Sequence, residues 1–129
     1  MSYYFSKNLS HVPFDTAKER VVKALQAEGF GVLTEIDIKA TMKKKLNKEY
    51  LPHLILGACN PIFADKVLQQ DPHISSMLPC NVTLRELEVG GVEVCIIDPA
   101  AAMGLVNNKN IELLAAEVRE KLKRVLENS

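Results

Sequence analysis

The sequence lacks tryptophan, and only three tyrosines and four phenylalanines occur among its 129 residues. Proteins that hold single-stranded nucleic acid usually stack bases on exposed aromatic rings, so this shortage argues against such a platform. Sixteen basic and sixteen acidic residues cancel, which leaves no net charge to attract nucleic acid or an anionic membrane. We therefore expect no nucleic-acid partner.

Long hydrophobic runs are also absent from the sequence. No apolar segment approaches the length of about 20 residues that spans a bilayer. The aromatic cluster Tyr3, Tyr4 and Phe5 is too short for the core of a signal peptide. We expect no membrane partner and a cytoplasmic location. The chain has three cysteines, an odd number that cannot all pair with one another. Since the expected compartment is also reducing, a structural disulfide framework is not expected.

The length and apolar fraction of the chain suit one folded domain. A chain of 129 residues, 47% of them hydrophobic, can bury a core without disulfides or metal. We find no linker, low-complexity tract or internal repeat. A single domain over residues 1–129 is therefore predicted.

The order of predicted elements is strand, helix, two strands, helix, hairpin and long helix. Asp15 is a predicted helix cap, and alternation from Gly31 predicts a strand that includes Ile38. Asn60 before Pro61 predicts a cap and helix start, and two glycines at 90 and 91 predict a hairpin turn. This order predicts an α+β fold in which helices cover one face of a mainly antiparallel sheet.

The last helix is predicted from apolar residues at helical spacing, namely Ile111, Leu114, Val118, Leu122 and Val125. Glu117 with Lys121, and Glu120 with Arg124, are four residues apart and are predicted to form ion pairs on its exposed side.

Two cysteine-asparagine steps lie at breaks between predicted elements. Cys59 and Asn60 end an apolar run, and Cys80 and Asn81 begin the next strand. A thiol at a helix start can have a lowered pKa, while an asparagine amide offers a donor and an acceptor to a ligand. The alternative is structural, because cysteine is among the most often buried residues and asparagine is a common cap.

The chemistry available to Cys59 and Cys80 depends on their separation in space, which the sequence leaves open. Close together, they could form a redox dithiol or share a soft metal ion. His53 or His73 would be needed to complete a metal site, and their spacing matches no compact zinc motif. Cys95 lies within a strand and is assigned to the core or the sheet surface.

A basic stretch between residues 39 and 48 suggests a second group of polar candidates. Lys43 and Lys45 belong to it, and Asp37 directly precedes it on a strand. The lysines could hold a phosphate or carboxylate, although a solvated charged face is the commoner explanation. Asp37 and Lys43 are accordingly kept as candidate ligand-binding residues beside the two Cys-Asn steps.

Three phrases of the sequence resemble a family catalogued as domain of unknown function 302. They are Ile38-Lys39-Ala40-Thr41-Met42-Lys43, Leu54-Ile55-Leu56-Gly57-Ala58-Cys59-Asn60-Pro61 and Met77-Leu78-Pro79-Cys80-Asn81-Val82. The resemblance spans nearly the whole chain and implies a TATA-binding-protein-like α+β fold and a tendency to form homodimers. Its pattern falls on Asp37, Lys43, Lys45, Cys59, Asn60, Pro61, Pro79, Cys80 and Asn81, whereas His53 departs from it. It implies no particular reaction or cofactor.

The favoured hypothesis is a dimeric module that binds a small molecule or metal ion at Cys59, Asn60, Cys80 and Asn81. One alternative is a thiol-dependent redox enzyme, in which Cys59 attacks as thiolate and Cys80 resolves the intermediate. Another is a purely structural interaction domain that acts through its sheet or long helix. These three hypotheses stay open at the level of sequence.

Overall fold

The computed structural model describes residues 2–129, so residue 1 of the predicted domain lies outside it. Strands and helices follow one another from Tyr4 to Glu127. In order they are β1 (Tyr4–Leu9), α1 (Phe14–Ala27), β2 (Gly31–Asp37), α2 (Ile38–Leu46), β3 (His53–Cys59), α3 (Pro61–Gln70), β4 (Cys80–Glu86), β5 (Val92–Ile97), α4 (Pro99–Met103) and α5 (Lys109–Glu127). Short 3₁₀ segments follow α3 at Pro72–Met77 and α4 at Gly104–Val106.

The five strands form one sheet in the order β1-β5-β4-β3-β2. Every neighbouring pair is antiparallel. The predicted hairpin joins β4 to β5, and both of its glycines have positive φ, 91° at Gly90 and 87° at Gly91. Such angles suit glycine because it has no Cβ. β1 and β2 are left as the two edges of the sheet.

The main core lies between one face of the sheet and helices α1 and α5. Its strand residues include Leu56, Val82, Leu84, Val94 and Ile96, and its helix residues include Val21, Leu25, Leu122 and Val125. The side chains on the opposite face of β4 and β5, at residues 81, 83, 85, 93, 95 and 97, are half-buried or exposed. The predicted α+β class, with helices on one face of an antiparallel sheet and a long C-terminal helix, is confirmed.

A second, smaller core lies beyond the ends of β3 and β4. It consists of Val67, Ile74, Met103, Ile111 and Ala115, and thus joins α3, the first 3₁₀ segment, α4 and α5. Within residues 2–129, no helix has both the length and the apolarity needed to cross a membrane.

Two predicted details near helix starts are wrong. Asp15 lies in the first turn of α1, whose cap position is Pro13. Ile38 begins α2 and does not extend β2, because the Asp37 carboxylate accepts a hydrogen bond from the Ala40 amide at 2.9 Å. This cap starts a helix where the alternation of side chains alone predicted more strand.

The ion pairs predicted along α5 are also wrong for residues 2–129. Arg124 instead contacts Glu28, beyond the end of α1, with a nitrogen-oxygen distance of 3.0 Å. Glu120 lies 3.9 Å from Arg119 and 4.0 Å from Lys123. Arg124 therefore pairs with a residue beyond the end of α1, whereas Glu120 lies near other basic residues of α5 itself.

Candidate functional site

The sheet places the two Cys-Asn steps side by side. β3 ends at Cys59 and β4 begins at Cys80. Because these strands are antiparallel neighbours, Ala58 lies directly opposite Cys80. Both steps therefore lie at the same end of the sheet, where the chain leaves β3 for α3 and later enters β4.

An apolar cavity opens behind this end of the sheet, at the seam between the two cores. We call it the inner cavity, and its volume is about 40 Å³. Strand ends and helices α3, α4 and α5 surround it. Its lining residues are Phe30, Ala58, Cys59, Asn60, Phe63, Ala64, Val67, Leu78, Pro79, Cys80, Pro99, Met103, Leu114, Ala115 and Val118.

A second cavity, here called the outer cavity, adjoins the first. Its volume is about 300 Å³. It shares Leu78, Pro79, Cys80, Pro99 and Met103 with the inner cavity. It is also lined by Ser76, Met77, Asn81, Ile97 and Ala102. The two cavities therefore share part of their lining.

Asn60 occupies the cap position of α3 and precedes Pro61, as predicted, but its side chain does not cap the helix. The side chain is instead directed to α1, where Nδ2 donates to the Glu28 carbonyl at 3.4 Å. Gly29 permits this approach, because an added Cβ there would lie 3.2 Å from Asn60 Nδ2. With only 8% of its surface exposed, Asn60 ties the start of α3 to the end of α1.

The Cys80 thiol is held in its neutral form. Burial is the main cause that raises the pKa of Cys80 to about 11, and the proximity of Cys59 contributes in the same direction. Both thiols are free, and Cys59 directly follows Ala58, which lies opposite Cys80 in the sheet. At neutral pH Cys80 therefore presents a protonated sulfur to both cavities.

The six candidate ligand-binding residues fall into two groups. Cys59 and Asn60 line the inner cavity, Asn81 lines the outer one, and Cys80 lines both. Asp37 and Lys43 line neither cavity. The Asp37 carboxylate caps α2, and the Lys43 ammonium contacts the carboxylate of Glu49.

The side chains around the thiols do not form a set suited to a metal ion. Among residues 2–129, no group of three or more His, Cys, Asp and Glu side chains could hold one. His73 instead contacts Asp71, with Nδ1 3.0 Å from the carboxylate. His53 starts β3, at the end of that strand opposite to Cys59. Its pKa is lowered, first by burial and then by the Arg85 charge.

The aromatic and aliphatic lining of the inner cavity was missed at the level of sequence. Phe63 and Leu78 lie close to the two Cys-Asn steps along the chain, so their positions were the available signal. Met103, Leu114 and Val118 come from α4 and α5, and only the packing of these helices brings them to the cavity.

Cys95 lies apart from this site. It is half-buried on the face of the sheet opposite to the main core, where it is paired with Thr83 across β4 and β5. Burial raises the pKa of this thiol. Cys95 thus lies on the sheet surface, which is one of the two positions predicted for it from the sequence.

Comparison with known proteins identifies the family. A family model described as Domain of unknown function DUF302 matches residues 5–129. An uncharacterized protein of Aquifex aeolicus (strain VF5) is 24% identical over 94 residues, which cover 73% of this chain and 59% of that protein. The chain thus spans less than two thirds of the length of this relative.

A crystal structure of an uncharacterized conserved protein DUF302 from Bacillus stearothermophilus has a similar fold, with a TM-score of 0.91. Its sequence is 24% identical, and the alignment covers 99% of this chain and 98% of that one. At this identity the likeness is one of fold. Since the family model matches almost the entire sequence, the chain belongs to the DUF302 family.

Proposed function

We propose that this protein binds a small uncharged molecule in the inner cavity, between Cys59 and Cys80. The observation that carries the proposal is that Cys59, Asn60 and Cys80 all line this apolar space. Cavities lined by apolar groups with a few polar atoms are typical of small-molecule sites.

The charge of the ligand follows from the lining residues. The two thiols are the only ionisable side chains among them, and the pKa of Cys80 is raised to about 11. An ion placed there would lose its hydration without gaining an oppositely charged partner, at a cost of several kcal/mol. A neutral molecule loses little hydration free energy on entering the cavity. Its binding is stabilised by about 25 cal/mol for each Å² of apolar surface that becomes buried.

The other two chemistries considered for the thiols have weaker support. Structural zinc takes four protein ligands, and the cavity offers two thiols without a third His, Cys, Asp or Glu. A resolving cysteine must form a thiolate. With a pKa of about 11, only about one Cys80 in ten thousand is ionised at pH 7.

The first test combines native mass spectrometry of the untagged protein with methyl NMR in xenon-saturated buffer. We expect a bound molecule after purification or, in the apoprotein, xenon-induced shifts at Ala58, Val67 and Ala115. In the Ala64→Leu variant, the larger side chain fills the cavity and abolishes both signals. The control is Cys95→Ser, which lies on the other face of the sheet.

Two results would contradict the proposal. One is a wild-type protein without bound mass and without xenon shifts at the cavity methyl groups. The other is retention of a bound molecule that is unchanged in Ala64→Leu and in the Cys59→Ser, Cys80→Ser double variant, because such a molecule would bind elsewhere.

We further propose that two copies of the chain associate through β2. All seven residues of this edge strand are exposed, among them Val32, Leu33 and Ile36 at 37%, 67% and 47%. An edge strand offers unpaired backbone groups, and two identical strands can pair antiparallel about a two-fold axis. Sedimentation equilibrium tests this proposal, and a dimer mass is expected. A monomer mass at protein concentrations up to about 0.1 mM would overturn it, because a dissociation constant of that size corresponds to an association free energy of only about −5.5 kcal/mol.

A further inference from the structure

We propose that the ligand is amphipathic, with a short apolar chain in the inner cavity and an uncharged hydrogen-bonding head in the outer cavity. This inference rests on the proposed function and adds the shape and polarity of the molecule. It is carried by the shared wall of the two cavities and by their difference in size and lining.

The size of the inner cavity limits what it can hold. A water molecule needs about 10–15 Å³ of such a volume, so the 40 Å³ of the inner cavity corresponds to about three water-sized groups. A chain of three or four carbon atoms fills this space. The rest of a larger molecule must lie outside it, and the outer cavity has a volume of about 300 Å³.

The shared wall allows one molecule to occupy both cavities. Met103 contributes to this wall, together with Cys80 and Leu78. Methionine has three rotatable side-chain bonds and adapts its shape at low cost. We therefore expect the two spaces to join through a change in the Met103 side chain.

The polar groups of the outer cavity define the head of the ligand. Asn81 is exposed there and offers both a donor and an acceptor. Ser76 also lines this cavity, and its hydroxyl donates to the His73 carbonyl at 2.9 Å. Since neither cavity is lined by Asp, Glu, Lys, Arg or His, a hydroxyl or amide head fits, and a carboxylate or ammonium group does not.

The test titrates the apoprotein with 1-propanol, 1-butanol, 1-pentanol and 1-hexanol and follows the cavity methyl groups by NMR. Each added methylene is expected to raise the affinity about fourfold until the inner cavity is full, since a buried methylene contributes about 0.8 kcal/mol. Hexanoate and hexylammonium should bind at least tenfold more weakly than 1-hexanol, because their charge lacks a partner.

Variants separate the head from the chain. Asn81→Ala should lower the affinity for 1-pentanol about fivefold, as expected for one hydrogen bond of about 1 kcal/mol, and leave the xenon shifts unchanged. Ala64→Leu should abolish both the binding of 1-pentanol and the xenon shifts, and Cys95→Ser should leave both unchanged.

Failure of this inference is distinguishable from failure of the proposed function. Xenon shifts without any dependence of alcohol affinity on chain length would overturn the amphipathic ligand and leave cavity binding intact. Equal binding of 1-hexanol and hexanoate would overturn the uncharged head. Absence of the xenon shifts would overturn both proposals.

Discussion

At the scale of single residues, Gly57 determines how closely Pro79 approaches the sheet beside Cys59 and Cys80. Gly57 is buried in β3, between Thr34 on one side and Asn81 on the other. An added Cβ would lie 2.7 Å from Pro79 Cγ and still closer to Thr34 Oγ1. Glycine is therefore required here by close contact, since its φ is not in the positive range.

Gly57→Ala is expected to lower the free energy of unfolding by about 1–3 kcal/mol, the usual cost of overpacking. Urea unfolding measures the change. The matched control is Gly104→Ala, where no atom lies within 4 Å of the added Cβ and φ is −60°. That control should be neutral or stabilised by up to about 1 kcal/mol. Equal stability of Gly57→Ala and the wild type would contradict the packing argument.

The Cys80 thiol makes stability dependent on pH in the alkaline range. Its folded pKa is raised from 9.0 to about 11 by burial, so the unfolded chain loses this proton at lower pH than the folded protein does. The resulting stabilisation is fully present below pH 9 and is lost as the pH rises toward 11. Between pH 8 and 10.5 the loss amounts to about 2 kcal/mol, at about 1.36 kcal/mol per pKa unit.

Urea unfolding of the wild type and of Cys80→Ala across this pH range measures that loss. The variant is less stable at pH 8 because it lacks the buried sulfur, but its stability should fall less steeply with pH. The difference between the two slopes isolates Cys80 from the lysines and tyrosines that titrate in the same range. Parallel curves would show that the thiol is not buried as described.

At the scale of secondary structure, Asp98 connects α4 to α5. One carboxylate oxygen accepts from the Ala100 amide at 3.0 Å, and the other accepts from Arg119 Nε at 3.0 Å. Asp98 is 8% exposed, so both bonds are shielded from water. Because Pro99 and Met103 belong to α4 and line both cavities, this carboxylate also holds the cavity wall.

Asp98→Ala is expected to lower the free energy of unfolding by about 3 kcal/mol. The lost cap accounts for about 1 kcal/mol. The remainder comes from the partly buried Arg119, which loses its 3.0 Å contact and keeps the longer 3.9 Å contact to Glu120. Asp98→Asn keeps an oxygen for the cap and should cost less. Urea unfolding compares the two variants, and an equal loss in both would show that the cap contributes nothing measurable.

Elements with a strong period were predicted from the sequence, whereas their ends and contacts were not. The hairpin of β4 and β5 and the helices α1 and α5 followed from alternation, glycine pairs and helical spacing. Ile38 was misassigned because the Asp37 cap starts a helix inside an apparently alternating run. The Cys-Asn steps marked one end of the sheet, but Met103 and Val118 reach the cavity only through the packing of α4 and α5, which no local pattern encodes.

At the scale of the whole molecule, the two edges of the sheet differ in character. β1 has hydrophilic Ser6 and Asn8 among its exposed residues, and Lys7 Nζ contacts the Leu126 and Glu127 carbonyls at the end of α5 at 3.3 and 3.2 Å. β2 exposes Leu33 and Ile36 at 67% and 47%, whereas β1 exposes one large hydrophobic residue, Tyr4, at 41%. Polar residues on an edge discourage pairing with another chain, so the proposed dimer should use the β2 edge.

Ile36→Lys is therefore expected to convert the dimer to a monomer, because a charged lysine on the β2 edge disfavours pairing with a second strand. Sedimentation equilibrium measures the mass. The control is Ser6→Lys, which lies at the opposite edge of the same row of the sheet, Ile36–Ile55–Thr83–Cys95–Ser6, and should leave the mass unchanged.

The same pair of variants separates association from folding. Because Ile36 is exposed in the single chain, its replacement should change the stability of the monomer by no more than about 0.5 kcal/mol. Far-ultraviolet circular dichroism and urea unfolding at low protein concentration test this. A folded Ile36→Lys protein that remains dimeric while Ser6→Lys becomes monomeric would place the interface on β1 and overturn the β2 assignment.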